Sequence, residues 1–145
     1  MKAISSGNMK SGQSGVVILE ALIAILLFSI GILGLVGTLA TSVSNASEAQ
    51  YRTEAAFHAE SLIAELRVAA PLTRASDYAS YLGPSYVTWK NRVATGANAL
   101  PGAGLTANRP TTAFSGTNNQ NVTITIRWQT NNGTQRTYAV VTSLE

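Results

Sequence analysis

Hydrophobic residues follow two different patterns along the first half of the chain. A continuous apolar run extends from Val16 to Ala40 and contains one charged side chain, that of Glu20. Its uncharged part, residues 21–40, has about 20 residues, which is the usual length of a helix that spans a bilayer. The apolar region of an ordinary secretory signal is shorter, about 7–15 residues. The run therefore predicts a membrane-spanning helix.

The second pattern is periodic and covers residues 41–70, which contain neither proline nor glycine. Spacings of three and four residues are typical of an amphipathic helix that buries one face. Glu48 and Arg52 are expected to form an ion pair one turn apart on its polar side, and Pro71 is expected to end the helix. The apolar stripe consists of Ala55, Ala59, Leu62 and Leu66, widened by Ala56 and Ile63.

Residues 71–116 show no sustained periodicity and are predicted to form an irregular connection. Within it, a short helix is expected from Ser85 to Thr95, with Ser85 as its N-cap. Residues 97–104 contain Pro101, Gly102 and Gly104, which indicates a turn. Residues 104–108 are predicted to begin the sheet.

The end of the chain predicts a β-hairpin. Apolar side chains alternate with polar ones at residues 122, 124, 126 and 128, which is the period of a half-buried strand. Asn131-Asn132-Gly133 is a turn signal, and a second strand is expected from about Gln135 to Ser143, with Tyr138 and Val140 on one face. Two strands alone are marginally stable, so a third strand and the helix stripe must cover them. The sequence thus predicts an α+β fold, with one long N-terminal helix of about residues 16–70 packed on a small antiparallel sheet.

Charge limits the possible partners and sets the orientation in a membrane. Charged residues make up 12% of the chain, and its formal net charge is +3. Lys2 and Lys10 precede the apolar run without any acidic residue, so the N-terminus is expected to stay cytoplasmic. Without residues 1–15 the net charge falls to +1, which argues against nucleic acid as a partner. The absence of cysteine excludes disulfides and thiolate chemistry.

Glu20 is unusual because a carboxylate in hydrocarbon costs about 3 kcal/mol even on lenient insertion scales. One interpretation places it at headgroup depth with no further role. The other gives it a cationic partner, because an α-amino group one helical turn away is protonated below a pKa of about 8. A new chain start at Val16 would supply that amine.

The segment GVVILE, from Gly15 to Glu20, resembles the type IV prepilin cleavage and methylation motif. In that family a prepilin peptidase cuts after the glycine on the cytoplasmic side and N-methylates the new first residue. The resemblance implies that Gly15 and Val16 are processing residues and that Glu20, the fifth mature residue, acts in assembly. The family usually has phenylalanine where this chain has Val16.

Further similarities point to PilV-type minor pilins and imply a pilin-like fold. They lie at residues 29–35, at Trp89 together with residues 100–102, and at the strand of residues 124–128. The implied segments are a leader at 1–15, a transmembrane and filament-core helix half at 16–40, an amphipathic helix half at 41–70, and a small globular domain with a C-terminal β-hairpin at 71–145.

The resemblance implies a minor type IV pilin, which is a structural subunit and not an enzyme. Its expected roles are pilus assembly and priming, with adhesion or twitching motility in addition. Its expected partners are the inner membrane, the prepilin peptidase, other major and minor pilins, the pilus assembly platform and a tip adhesin. We expect a single-pass inner-membrane protein with a cytoplasmic N-terminus and a periplasmic C-terminal domain, which then enters the pilus at the cell surface. No cofactor, metal or catalytic residue is implied.

Three alternatives share parts of this pattern. A pseudopilin of a type II secretion system has the same N-terminal motif, and neighbouring genes would separate the two. A DNA-binding or adhesive minor pilin would require a binding surface on the C-terminal domain. A bitopic membrane protein that is never processed would keep Met1.

Other candidate chemistry has a structural interpretation. His58 is the only histidine and is expected on the helix surface rather than in a metal site. Gly31, Gly34 and Gly37 indicate either close helix–helix approach or local unwinding in a filament. Aromatic residues cluster with basic ones at Arg74, Tyr78, Tyr81, Tyr86, Trp89, Lys90 and Arg92. This cluster is expected to pack beneath the connection rather than to bind DNA.

Overall fold

The computed structural model describes residues 13–130 and 132–144. Most of the predicted leader, with Lys2 and Lys10, and Asn131 of the predicted turn lie outside the described residues. Two compact units follow one another, the first up to Asn45 and the second from Ala46. The helices are α1 Gln13–Val68, α2 Pro71–Tyr78 and α3 Pro84–Thr95, and the strands are β1 Thr111–Ser115, β2 Asn121–Gln129 and β3 Gln135–Ser143. Short 3₁₀ turns occupy Thr106–Asn108 and Thr117–Asn119.

The second unit is built on the predicted helix stripe. Ala55, Ala59, Leu62 and Leu66 are fully buried, and Ile63 is almost so. They share one core with the inward-facing residues of β2 and with Trp89 of α3. This arrangement confirms the α+β prediction of one long N-terminal helix packed on a small antiparallel sheet.

The sheet has the strand order β1–β2–β3, and both strand pairs are antiparallel. Along β2 the side chains at 122, 124, 126 and 128 are buried while their neighbours are half-buried, as the period-two pattern predicts. Tyr138 and Val140 are half-buried on β3, as is Thr142, and the two apolar side chains pack against the core. In the hairpin turn Gly133 has a φ of 81°, a conformation that glycine adopts without strain.

The connection between α1 and the sheet contains more structure than the sequence predicts. Pro71 follows the end of α1, and it also occupies the first turn of a second helix, α2. There its fixed φ suits a helix and its missing N–H costs nothing. The expected helix at 85–95 is present as α3, but its N-cap is Gly83 and not Ser85, because Pro84 takes the first helical position.

The predicted start of the sheet at residues 104–108 is wrong. That segment contains a 3₁₀ turn, and the third strand is β1, at Thr111–Ser115. Pairing of β1 with β2 joins Thr112 to Ile124 and Phe114 to Val122. The Ser80 hydroxyl donates to the Thr112 carbonyl at 2.8 Å and accepts from the Thr112 N–H at 2.6 Å. These contacts join residues that are distant in sequence, so no local sequence pattern predicts the strand.

Gly83 is required by a close approach of two backbone segments. A Cβ at this position would lie 2.0 Å from the Asp77 carbonyl oxygen, far inside contact distance. Real Cβ atoms do not come so close to backbone atoms, so α2 or the start of α3 would have to move. The glycine thus fixes how α2 and α3 meet.

We predict that Gly83→Ala lowers the free energy of unfolding of the second unit by about 1–3 kcal/mol, the usual cost of overpacking. Gly104→Ala is the matched control, because the added Cβ would find its nearest neighbour at an ordinary 3.8 Å from the Ala94 Cβ. Denaturant unfolding of the full chain in detergent micelles, followed by tryptophan fluorescence, measures both. Equal stability of the two variants would contradict the close approach.

Candidate functional site

Gly15, Val16 and Glu20 lie in the first turns of α1, which is helical from Gln13 onward. Val16 and Glu20 are four residues apart, so they share one face of the helix with a rise of about 6 Å between them. A Cβ added at Gly15 would have no atom within 4 Å. A glycine in a helix interior costs about 1 kcal/mol relative to alanine, and no packing contact among the described residues requires it here.

The Glu20 carboxylate is exposed and unpaired. Within residues 13–130 and 132–144, it makes neither a hydrogen bond nor an ion pair. Its neighbours Ile18, Leu19 and Leu22 expose apolar surface. The carboxylate therefore stands in an apolar setting without any compensating group from the described chain.

Every large apolar side chain from Val16 to Val43 is exposed, with exposed fractions between 44% at Ile32 and 70% at Leu33. α1 is the one helix among the described residues that is long and apolar enough to cross a membrane, judged by length and composition. An exposed apolar patch of this extent marks a surface that contacts lipid or protein. The helix is compatible with a membrane anchor.

The hydroxyl groups of this segment are satisfied within the helix. Ser29 donates to the Ile25 carbonyl at 2.7 Å and Thr38 to the Leu35 carbonyl at 2.8 Å. Thr41 and Ser42 make the same kind of bond at 3.1 and 3.0 Å. A polar group in hydrocarbon has no water to bond, so internal bonds of this kind suit an apolar environment. Sequence reasoning missed this feature, although hydroxyl residues in an apolar run are its visible signal.

Gly31, Gly34 and Gly37 are helical, and a Cβ at any of them would meet no atom within 4 Å. Within the described residues they are thus not explained by contacts of the chain with itself. α1 continues through all three without a break.

His58 is a structural residue of the core, so the expectation that it lies on the surface is wrong. It is 7% exposed. Its Nε2 lies 2.9 Å from the Asn98 carbonyl oxygen, and since a carbonyl only accepts, Nε2 must carry the proton. Its own backbone carbonyl accepts a bond from Trp89 Nε1 at 3.0 Å. The residue ties α1 to the connection that follows α3.

The aromatic and basic cluster packs around two buried rings, as predicted, but its member Tyr81 is 55% exposed. Tyr86 and Trp89 are each 1% exposed, and their ring centroids are 6.0 Å apart. The Tyr86 hydroxyl donates to the Pro110 carbonyl at 2.6 Å. Two of the basic residues are engaged, because Arg92 pairs with Glu65 at 2.5 Å and Arg74 is buried.

The ion pair expected between Glu48 and Arg52 is replaced by a more distant one. Arg136 Nε lies 2.9 Å from Glu48 Oε1, and Arg136 Nη2 lies 3.0 Å from Glu48 Oε2. This contact joins α1 to β3 across 88 residues of sequence. Sequence reasoning could not foresee it, because the register of β3 against the helix has no local signal.

Comparisons of the chain with protein-family models, with characterised proteins and with solved structures found no match. The residues themselves carry the information on function. Among them, Gly15, Val16 and Glu20 at the head of an exposed apolar helix form the most distinctive arrangement.

Burial raises the pKa of Tyr86 from 10.0 to about 12, and the neighbouring Tyr81 adds to the effect while Arg109 opposes it. A raised folded-state pKa stabilises the fold below the unfolded pKa, and this stability is lost as the pH rises through the folded value. We predict that the stability of the second unit falls between about pH 10 and pH 12.

Denaturant midpoints at about pH 9 and about pH 11 measure this effect. The Tyr86→Phe variant should show a smaller loss between the two conditions, because it lacks the buried phenol. Tyr138→Phe, which removes a half-buried tyrosine from β3, is the control and should keep the full dependence. Identical pH dependence in both variants would assign the loss to other groups.

Proposed function

We propose that this chain is the precursor of a minor type IV pilin, a structural subunit that is stored in the inner membrane and then incorporated into a pilus. In this proposal a prepilin peptidase cuts after Gly15 and methylates Val16. The subunit then helps to prime assembly with other pilins, and adhesion or twitching motility depends on the filament it joins. The observation that carries the proposal is the unpaired Glu20, four residues after Val16, on an exposed apolar helix.

Membrane storage is supported by the exposed apolar residues of α1. A bilayer covers these side chains, and residues 21–40 match its thickness. Lys2 and Lys10 favour a cytoplasmic N-terminus, so the second unit is exported to the periplasm.

Processing creates the group that Glu20 lacks. Cleavage after Gly15 turns the Val16 nitrogen into an amine, which is cationic at neutral pH. In a filament the carboxylate of one subunit pairs with the amine of its neighbour inside a core of apolar helices. A buried charge without its partner is strongly penalised, commonly by 3–5 kcal/mol, so subunits in the wrong axial register are rejected.

The second unit supports this role because its own core is complete without the first residues of the helix. All residues of its core lie from Ala55 onward, with Tyr51 packed against it. Such a unit stays folded while the apolar half of α1 exchanges lipid for other helices. Residues 46–144 are thus suited to act as the headgroup of a subunit.

Mass spectrometry of the membrane-associated protein tests the processing step. We predict a chain that begins at N-methyl-Val16 in cells with a prepilin peptidase, and an intact chain that begins at Met1 in cells without it. Gly15→Val should leave the chain intact in both, because the branched side chain replaces the residue at the cut. Gly7→Val alters another glycine of the leader and should be processed normally.

An intact N-terminus in a working filament would contradict the proposal. So would cleavage of Gly15→Val at the wild-type rate. Either result would favour an unprocessed bitopic membrane protein.

We further predict that Glu20→Ala leaves membrane insertion and cleavage unchanged but reduces the amount of subunit in sheared filaments by about tenfold or more. Loss of even about 1.4 kcal/mol from each subunit contact gives a factor of ten. Glu60→Ala, which removes an exposed carboxylate from the second unit, is the matched control. Immunoblots of membrane and filament fractions measure both variants.

Wild-type incorporation of Glu20→Ala would remove the proposed role for this carboxylate. A similar defect in Glu60→Ala would show that the loss is not specific to the apolar segment.

A further inference from the structure

A polar groove in the second unit has no role in the proposal above. Its volume is about 360 Å³, and it is lined by Glu48, Arg52, Trp128, Gln135, Arg136 and Thr137. This volume falls in the range of small-molecule sites, about 300–1,000 Å³. Five of the six residues are polar or charged, so the groove suits a hydrophilic ligand.

Trp128 lines this groove, and its indole N–H is an unsatisfied donor. The residue is 2% exposed, and its Nε1 is buried without a hydrogen-bond partner among the described residues. A buried donor without an acceptor costs about 1–3 kcal/mol. The other tryptophan, Trp89, is fully satisfied through the His58 carbonyl at 3.0 Å. Trp128 Nε1 is thus a donor that the described residues leave without an acceptor.

Guanidinium groups supply further donors beside it. Arg136 uses Nε and Nη2 in its pair with Glu48. A guanidinium has five N–H donors, so most of those of Arg136 remain open. Arg52 is exposed and has no ion-pair partner within residues 13–130 and 132–144. The side chains of Arg136 and Glu48 are 44% and 39% exposed, so water-borne ligands can reach them.

Strand register and helix spacing bring these groups together. Trp128 and Arg136 are directly opposed on β2 and β3, and opposed residues of an antiparallel pair project to the same face. Glu48 and Arg52 are one turn apart on α1 and share one helix face. Donors from the sheet and the helix thus converge, and the three ionised side chains leave a net charge of +1.

We propose that the groove binds an acidic sugar of the uronate class. The carboxylate accepts hydrogen bonds from Arg52 and Arg136, and a ring or hydroxyl oxygen accepts from Trp128 Nε1. One negative charge balances the net charge of the lining. The Glu48 carboxylate can accept a bond from a sugar hydroxyl, whereas fully ionised inorganic anions have no donor to offer it.

This inference rests on the groove alone and not on the proposed pilin function. All six lining residues belong to the second unit, which begins at Ala46. Failure of the sugar test would not affect the proposed cleavage after Gly15 or the proposed role of Glu20. Failure of the tests on Gly15 and Glu20 would likewise not affect the proposed sugar site.

Nuclear magnetic resonance of the isotope-labelled full chain in detergent micelles tests the proposal. The chain has two tryptophans, so two indole N–H signals are expected, and Trp128→Phe identifies one of them. Titration with glucuronate should shift the Trp128 signal saturably and leave the Trp89 signal in place. Glucose, which has no carboxylate, should shift neither.

Two arginine variants separate a specific site from general attraction of anions. Arg136→Gln should weaken glucuronate binding by about tenfold or more, since charged hydrogen bonds contribute about 1.5–3 kcal/mol. Arg92→Gln is the matched control, because Arg92 has the same 44% exposure and also pairs with a glutamate of α1. An unchanged Trp89 signal reports that each variant is folded.

Three results would overturn the proposal. They are an unmoved Trp128 signal at saturating glucuronate, an equal shift with glucose or sulfate, and an equal loss of affinity in Arg92→Gln. The wild-type titration with its glucose control decides the question even where a variant fails to fold.

Discussion

The structure depends on one constraint, which is that the apolar half of α1 is left uncovered while it carries a carboxylate. Side chains from Val16 to Val43 remain exposed, and burying apolar surface is worth about 25 cal/mol per Å². A bilayer and a bundle of similar helices both supply that cover. The two environments differ in where they place the Glu20 carboxylate. A bilayer places it near the lipid headgroups, whereas a helix bundle buries it. Only a cation delivered at the same depth makes the second environment favourable.

The second unit differs from the apolar half of α1, because it has a buried core of its own and polar contacts that hold its segments together. Several of its polar groups are tied to the backbone across long sequence distances, as in the bonds from Tyr86 to Pro110 and from Trp89 to His58. The Asn108 side chain donates to the nearby Gly102 carbonyl at 3.0 Å and accepts from the distant Gln135 side chain at 2.5 Å. Such bonds are costly to break in a protein interior. These bonds hold the segments between α2, α3 and the sheet in place.

Local periodicity accounts for what the sequence could predict. A helix places every third or fourth residue on one face, so the stripe from Ala55 to Leu66 could be read from the sequence. A strand places every second residue on one face, so the alternation along β2 could be read in the same way. The separation of Val16 and Glu20 could also be predicted, since a continuous helix fixes the rise between two residues.

Features that depend on contacts distant in sequence were missed. In β1 only Thr112 is buried, so the strand has no apolar alternation, and its position depends on Ser80. Pro71 was ambiguous, because a proline both follows one helix and starts another. The pairing of Glu48 with Arg136 instead of Arg52 required the sheet to be in place. The groove was invisible for the same reason, since its lining comes from α1, β2 and β3.

Two groups stand out because their surroundings do not satisfy them. Glu20 lacks a cation, and Trp128 Nε1 lacks an acceptor; the other buried unpaired atom among the described residues, Arg74 Nε, belongs to a guanidinium that already donates to Ala69 at 3.1 Å. Departures from local consistency tend to mark functional sites. Their surroundings dictate different partners. Glu20 stands among exposed apolar side chains, so an environment that covers them would also exclude water, and there a single charge at the right depth would suffice. The groove opens to solvent, so its ligand must replace several water contacts at once, and that requires donors converging from more than one element.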